Sequence, residues 1–581
     1  MAQRAKPVVG GGAGAGGLGG ADAGGLGGAD AGTAPARGPI VLLALILASG
    51  VANLNLSVAN VALPSIGQAF DASQTALNLV AVGFSLGLAG SVLYLGALGD
   101  RYGRKRMLVL GLALSIPAAL LAAFAPSVEV LFVARVFGGI AAGMAYPTTL
   151  SLIAALWSGP KRIAAIALWS GLGGAISALG PLASGWLIGM FDWGSVFLMT
   201  IPLAAITLVI VLAVVPAKVH EGTEPVDNLG GVLSIVMVAS LVLAINFAAV
   251  PGAGLFALVL AGVAAVAAVG FVLRQRRAAN PLYDLHIVAR RTFWVAAVGG
   301  IIVFGSLMGA MYVGQLFLQN VLQYTALEAG ASILPAAALM VLAAPVSSRL
   351  VLRLGARVVF LIGFSFCLLA FLTMYLFWDV GSSYWPVGVG YALIGLGVGL
   401  AGPPSSRSLT DSVPVRRSGM ASGTSDLQRD LGGSVMQSVL GAILTAGYAA
   451  AIARSIASAP ATVQTQITSE VQAQLQKSFD GAISIAKQYP EYSDAIVAAA
   501  RQSFLDGADW AYATGMLTML LGAVIVFVFY PRRAHEHDLL RSYAAADQAG
   551  GSVSSAPATA AASTADPAAS STRGPGATDP A

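Results

Sequence analysis

From residue 39 to residue 530 the chain alternates apolar runs with short polar connections. A helix rises 1.5 Å per residue, so about twenty apolar residues cross the ~30 Å hydrocarbon core of a bilayer. The pattern predicts fourteen such spans, at 39–64, 75–98, 107–125, 129–155, 163–189, 194–215, 229–249, 253–273, 292–318, 329–350, 357–378, 383–403, 420–446 and 510–530. The flanking tails do not follow it. Residues 1–38 are mostly Gly and Ala, with the octet Gly-Gly-Leu-Gly-Gly-Ala-Asp-Ala at 16–23 and again at 24–31. Such a segment cannot bury a core and is expected to be disordered. The tail 531–581 is rich in Ala, Ser, Thr and Pro and is expected to be largely disordered, from about residue 545.

Charge in the connections orients the chain. One set carries Arg101, Arg104, Lys105, Arg106, Lys161, Arg162, Lys218, Arg274, Arg276, Arg277, Arg290, Arg291, Arg349, Arg353, Arg407, Arg416 and Arg417. The short connections of the other set carry acids, Asp71, Glu129, Asp192 and Asp379, with no Lys or Arg. Cytoplasmic loops hold the excess of cations, so both termini are expected in the cytoplasm. One long outer connection, 447–508, is rich in Ala, Gln and Ser with spaced Ile and Val, and predicts one or two amphipathic helices.

Composition then removes function classes. The chain is 57% hydrophobic and 10% charged, against about 25% charged for a soluble domain. Its basic residues report topology and not nucleic-acid binding. Cys367 is the one cysteine, so no disulfide forms within the chain. His220, His286, His535 and His537 all fall in hydrophilic connections, which excludes a metal site or proton relay on membrane-embedded histidine. No G-x-x-x-x-G-K-[ST] occurs, and Gly397-Val398-Gly399-Leu400-Ala401-Gly402 lies in an apolar run with no preceding strand, so it is helix packing and not a dinucleotide loop. No cofactor is expected, and the chain is not expected to be an enzyme.

The most specific stretch is Gly96-Ala97-Leu98-Gly99-Asp100-Arg101-Tyr102-Gly103-Arg104-Lys105-Arg106, between the second and third spans. It resembles the G-x-L-a-D-r-x-G-r-k loop of the major facilitator superfamily. A degenerate second copy, Arg353-Leu354-Gly355-Ala356-Arg357, has Leu352 in place of Asp100, and Gly363 stands at the offset of Gly111. Such a repeat implies two related halves. The expected fold is an all-α polytopic membrane protein with fourteen transmembrane helices: two six-helix bundles, 39–215 and 292–530, with two extra helices, 229–273, inserted between them. That layout resembles the fourteen-helix drug:proton antiporter group of the superfamily. So do Asn280-Pro281-Leu282-Tyr283-Asp284-Leu285, Ala329-Gly330 and Leu334-Pro335.

The resemblance implies roles. Gly96, Asp100, Arg101, Gly103, Arg104 and Lys105 would form an inner gate, stable in one conformation and broken in the other. In the fourth span, Leu131-Phe132-Val133-Ala134-Arg135-Val136-Phe137-Gly138-Gly139 is similar to L-x-x-x-R-x-x-q-G, whose Arg the family links to proton coupling. In the fifth, the stretch from Gly174 through Gly180 and Pro181 to Gly185 resembles the motif that marks exporters; its small residues allow close helix contact and Pro181 allows a bend.

In the first span Leu54-Asn55-Leu56-Ser57-Val58-Ala59-Asn60-Val61-Ala62-Leu63-Pro64 resembles l-D-x-T-v-v-n-v-A-l-P, with Asn55 where the family has an acid. Counting rise per residue from each end places Asn55 and Arg135 at one depth. An amide there accepts a hydrogen bond from Arg135 but takes up no proton at physiological pH. The remaining acids are Asp426 and Asp430, which flank Arg429 at i, i+4 spacing on one helix face. They are a cytoplasmic proton or cation entrance, or a solvated helix start; the second is the simpler reading, because the apolar run begins near Leu431. Asn53, Asn60, Tyr146, Trp169, Asn246, Tyr312, Gln315 and Tyr391 lie within spans and are candidates for a central cavity suited to amphipathic molecules.

Together these imply a monomeric secondary multidrug-type efflux transporter of a bacterial-type inner membrane, in contact with lipid and amphipathic substrates, exchanging substrate for protons. The alternative is an exporter of lipid-like or other endogenous compounds, or a facilitator, without conventional proton coupling because of Asn55. Nucleic acid is not an expected partner.

Overall fold

The computed structural model describes residues 35, 37–157, 159–216, 225–248, 250, 252–414, 418–460, 464 and 467–554. The predicted disorder of 1–34 and 555–581 lies outside these residues. Described residues form helices and no strands. In a bilayer core each backbone N–H and C=O must be paired within its own segment, which a helix achieves.

The long helices are α1 Gly38–Phe70, α2 Gln74–Tyr102, α3 Arg104–Ala123, α4 Val128–Leu156, α5 Gly159–Ile188, α6 Thr200–Val214, α7 Asn228–Ala248, α8 Gly254–Arg277, α9 Arg291–Leu316, α10 Leu334–Leu354, α11 Ala356–Phe377, α12 Tyr384–Asp411, α13 Ser418–Ala457 and α14 Ser493–Phe529. A further helix, α15, covers Arg533–Ser554, so ordered helix runs past residue 545, where the sequence predicts disorder. Thirteen helices are long and apolar enough, over their described residues, to cross a membrane. The other long helix is α5, whose described apolar stretch is Leu179–Ile188. Side chains cap the starts: Ser73 accepts from the Ala76 N–H and Ser127 from the Val130 N–H.

The two halves repeat each other in contacts as well as in sequence. In the first, α1 packs on α4, α5 and α6, α2 on α4, and α3 on α4 and α6. In the second, α9 packs on α12, α13 and α14, α10 on α12, and α11 on α12 and α14. Two close approaches show why glycine recurs. A Cβ on Gly111 in α3 would lie 2.5 Å from the Ala141 carbonyl of α4, and one on Gly363 in α11 would lie 2.7 Å from Ala401 Cβ of α12.

Across the halves, α2 meets α13 and α5 meets α10 together with the short turn Ala326–Ala331. The inserted α7 leans on both α2 and α13, and α8 packs on α7. Asn246 of α7 ties this seam: its Nδ2 donates to Ser438 Oγ of α13 at 2.9 Å, and its Oδ1 accepts from Asn78 of α2. It is a seam residue and not a wall of a central cavity.

Between α13 and α14 the chain forms two short helices, Ser469–Lys477 and Phe479–Gln488, as the amphipathic pattern predicts. The predicted limits of the neighbouring spans are too short. α13 continues to Ala457 and α14 begins at Ser493, because the polar, Ala-rich flanks keep helix propensity after hydrophobicity ends.

Candidate functional site

The charged triplet of α13 stands where the halves face each other. Asp426 and Asp430 are 3% and 4% exposed. This corrects the reading of a solvated helix start. The helix begins at Ser418 and not at the apolar run, so Asp426 already lies about 12 Å along it, where α2 and α4 of the other half pack against α13. Arg429 Nη1 donates to Tyr146 Oη of α4 at 2.7 Å, its guanidinium lies over the Tyr146 and Phe304 rings, and Nη2 is 3.8 Å from Asp426 Oδ1. Among the described residues Asp430 Oδ2 and Arg429 Nε have no hydrogen-bond partner. Burying a carboxylate is costly unless it is paired or protonated. The cluster therefore joins groups able to exchange a proton to a cation that reaches across the interface.

Tyr146 extends the cluster. Its ring lies 5.7 Å from the Trp169 ring, and Trp169 Nε1 donates to Thr149 Oγ1 at 3.1 Å. Asn60 Oδ1 accepts from Gln437 of α13 at 3.2 Å, and Tyr312 Oη accepts from Gln74 of α2 at 3.0 Å. Of these predicted residues Tyr146, Asn60 and Tyr312 face the other half, while Trp169 packs within the first half behind Tyr146. Gln315 and Tyr391 do not. Gln315 donates to the Ala329 carbonyl, and Tyr391 is fully buried inside the second bundle against Trp378. Asn53 donates to Ser49 one turn back on α1.

Arg135 and Asn55 meet at one level, as the depth count requires, but not through the amide. Arg135 Nη1 donates to the Asn55 main-chain carbonyl at 2.6 Å, and Nε to the Val80 carbonyl at 3.4 Å. The Asn55 side chain donates to the Val51 carbonyl at 2.9 Å. An amide keeps an i−4 acceptor that a carboxylate could not use.

The loop 96–106 closes on a single residue. Gly103 joins α2 to α3 at φ +113°, and Gly355 joins α10 to α11 at φ +87°, a region that favours glycine. Lys105 Nζ donates to the Leu212 and Val215 carbonyls at the end of α6, and Arg104 Nη1 to the Ser151 carbonyl of α4. In the second half Arg357 likewise donates to the Phe527 carbonyl at the end of α14. Cations thus satisfy terminal carbonyls in both copies. Arg101 is half-buried, Gly96 lies near Pro147, and the Asp100 side chain falls outside the described residues.

At the opposite end the halves are in close contact. Gly185 of α5 faces the Ala326 carbonyl and Leu327, and Gly330 faces the Pro181 carbonyl; within the first half, Gly180 faces Ser57 and Leu54 of α1. A side chain at Gly185 or Gly330 would strike main chain. Gln319 Nε2 also crosses to the Val61 carbonyl at 3.1 Å. The Gly174 side of the motif lies outside the described side chains.

The loop helices join this closure. Lys477 Nζ and Gln474 Nε2 bind the Asp71 carboxylate at 2.7 and 2.9 Å. Asp480 sits against Gly67 at the carbonyl end of α1. Burial pushes the Asp480 carboxyl up to about 6, with Asp71 adding to the rise and Gln68 and Lys487 opposing it. At Asp71 burial also acts upward, but the bonds from Lys477 and Gln474 outweigh it and hold the group below its usual value.

Sequence reasoning did not select Arg429, Gln74, Asn78 or Gln437 as site residues. Arg429 was legible as the centre of an acid–base–acid turn; the three amides carry no local signal, because their partners lie on helices far along the chain.

The family model described as Major Facilitator Superfamily matches residues 45–437. The chain is 31% identical over 384 residues to the multidrug resistance protein Stp of Mycobacterium tuberculosis, covering 66% of this chain and 71% of Stp. It is 32% identical over 402 residues to the multidrug efflux pump LfrA of Mycolicibacterium smegmatis, covering 69% of this chain and 80% of LfrA. A solved bacterial homologue of the human lysosomal transporter Spinster shares the fold, with TM-score 0.57 and 16% identity over 87% of this chain and 99% of that one.

Proposed function

The chain belongs to the Major Facilitator Superfamily, and from that premise we propose that it is a proton-coupled multidrug-type efflux transporter of the inner membrane. The observation that carries the reading is the buried Asp426–Arg429–Asp430 cluster, which holds two carboxylates at the interface between the halves. Asn55 cannot carry the proton, so Asp426 and Asp430 take that role. Arg429 reports their state to the other half through Tyr146. Neutralising either carboxylate frees Arg429 to hold Tyr146 more strongly; ionising it draws Arg429 back. A shift of that kind biases a two-state element, which is what coupling requires.

The described contacts between halves concentrate at the end far from the 96–106 loop. With the cation-rich loops in the cytoplasm, this conformation is closed outward. The loop 96–106, anchored to α4 and α6, moves with the first half as one body, and the reading keeps Asp100 as the inner gate. Substrates are amphipathic small molecules, a reading supported by the similarity to the multidrug resistance protein Stp and the multidrug efflux pump LfrA. Aromatic faces of Tyr146, Trp169 and Phe304 near two acids suit cationic members of that class.

Everted vesicles that contain the protein should accumulate a lipophilic cationic dye when acidified inside, without ATP. Accumulation that is unchanged by a protonophore would refute coupling and leave the facilitator reading.

A further inference from the structure

Arg135 is 2% exposed, and no carboxylate pairs with it among the described residues. The acids of the first half, Asp71, Asp100, Glu129 and Asp192, all stand at helix ends. The guanidinium is nonetheless fixed by main-chain and ring contacts. Nε and Nη1 donate to the Val80 and Asn55 carbonyls, and the plane lies 5.0 Å from the Phe84 ring centre and 5.7 Å from that of Phe197. Its remaining edge, Nη2, has no hydrogen-bond partner. Arg135 also lines a cavity, together with Asn55, Ser115, Ala118, Ala122, Gly138 and Phe197. The space is about that of one water molecule.

A buried charge is strongly destabilising without a counter-charge, and carbonyl dipoles balance only part of it. We propose that this cavity is a binding site for a small monovalent anion, chloride or one of similar size, held by Arg135 Nη2. The walls leave no room for a carboxylate-bearing ligand. The aromatic rings cover the guanidinium faces and direct any anion to its edge. The anion supplies in trans the negative charge that Asn55 does not carry. The inference does not depend on Asp426 and Asp430, and it is read through stability, not transport.

The test uses the purified full-length protein in detergent, with Tm measured in chloride and in gluconate at equal ionic strength and pH. Chloride should raise Tm saturably, by about 2 °C at ten times its Kd, because a ligand bound only by the folded state stabilises it by mass action. Asn55→Asp places a carboxylate beside Arg135 and should abolish the chloride response. Should that variant fail to fold, Ala118→Val narrows the cavity without touching Arg135 and should abolish it too. Equal Tm in the two salts for the unaltered protein would mean that water fills the space, and would overturn the proposal. A full chloride response in Asn55→Asp or Ala118→Val would overturn it as well.

Discussion

Asp480→Asn tests whether the loop between α13 and α14 is an acid-sensitive part of the contact between the halves. Asp480 lies at the carbonyl end of α1, against Gly67, where burial first and the neighbouring Asp71 carboxylate second disfavour negative charge. Its carboxyl rises from 3.8 to about 6. Each unit is worth about 1.4 kcal/mol, so the ionised form costs at most about 3 kcal/mol, and partial exposure reduces this to about 2 kcal/mol. The direction follows from linkage. The folded state binds the proton more tightly than the unfolded state. The Asp480 contribution is therefore fully favourable below pH 3.8, is lost as pH rises to about 6, and is constant above. Asp71 does not cancel it, because its value is lowered and its pairing with Lys477 persists through this window. Asparagine carries no charge at any pH. The Tm of Asp480→Asn should match the unaltered protein near pH 4 and exceed it by about 2–3 °C near pH 7. A difference that does not vary with pH would refute the reasoning.

Other perturbations act on the same frame. Gly185→Leu should strike the main chain at Ala326 and Leu327, separate the halves at that end and, on the proposed function, abolish export while the protein still inserts; equal export would remove α5 from the closure. Gly103→Val forces a β-branched residue to φ +113° and should lower stability by about 1–3 kcal/mol, seen as a lower Tm. Tyr146→Phe removes the acceptor of Arg429 and should reduce the proton-gradient response more than dye binding, measured side by side in proteoliposomes.

Much of this architecture was legible because a bilayer imposes strong rules. Length and hydropathy located the spans, and the echo of Gly103 in Gly355, and of Gly111 in Gly363, foretold two halves with the same helix contacts. Depth counting brought Arg135 to Asn55. What remained hidden depends on distant segments. Burial of Asp426 and Asp430 comes from helices far along the chain that pack on α13, α2 and α9 among them, not from the sequence around them, so a local pattern reads them as solvated. The Asn55 amide is turned to its own helix, where its Nδ2 donates to the Val51 carbonyl, and Arg135 takes the Asn55 main-chain carbonyl instead. Tyr391 and Gln315 looked like cavity residues by polarity alone, yet Trp378 and the Ala329 carbonyl hold them inside the second bundle. The Asp71–Lys477 contact joins segments some 400 positions apart, beyond the reach of any local signal.

The central claim is that Asp426 and Asp430 carry the coupling proton. Reconstituted protein in liposomes, given an imposed pH gradient, should drive export of a cationic dye. Asp426→Asn and Asp430→Asn should each remove the gradient response while leaving dye binding intact. Full gradient-driven export by the double variant would contradict the account.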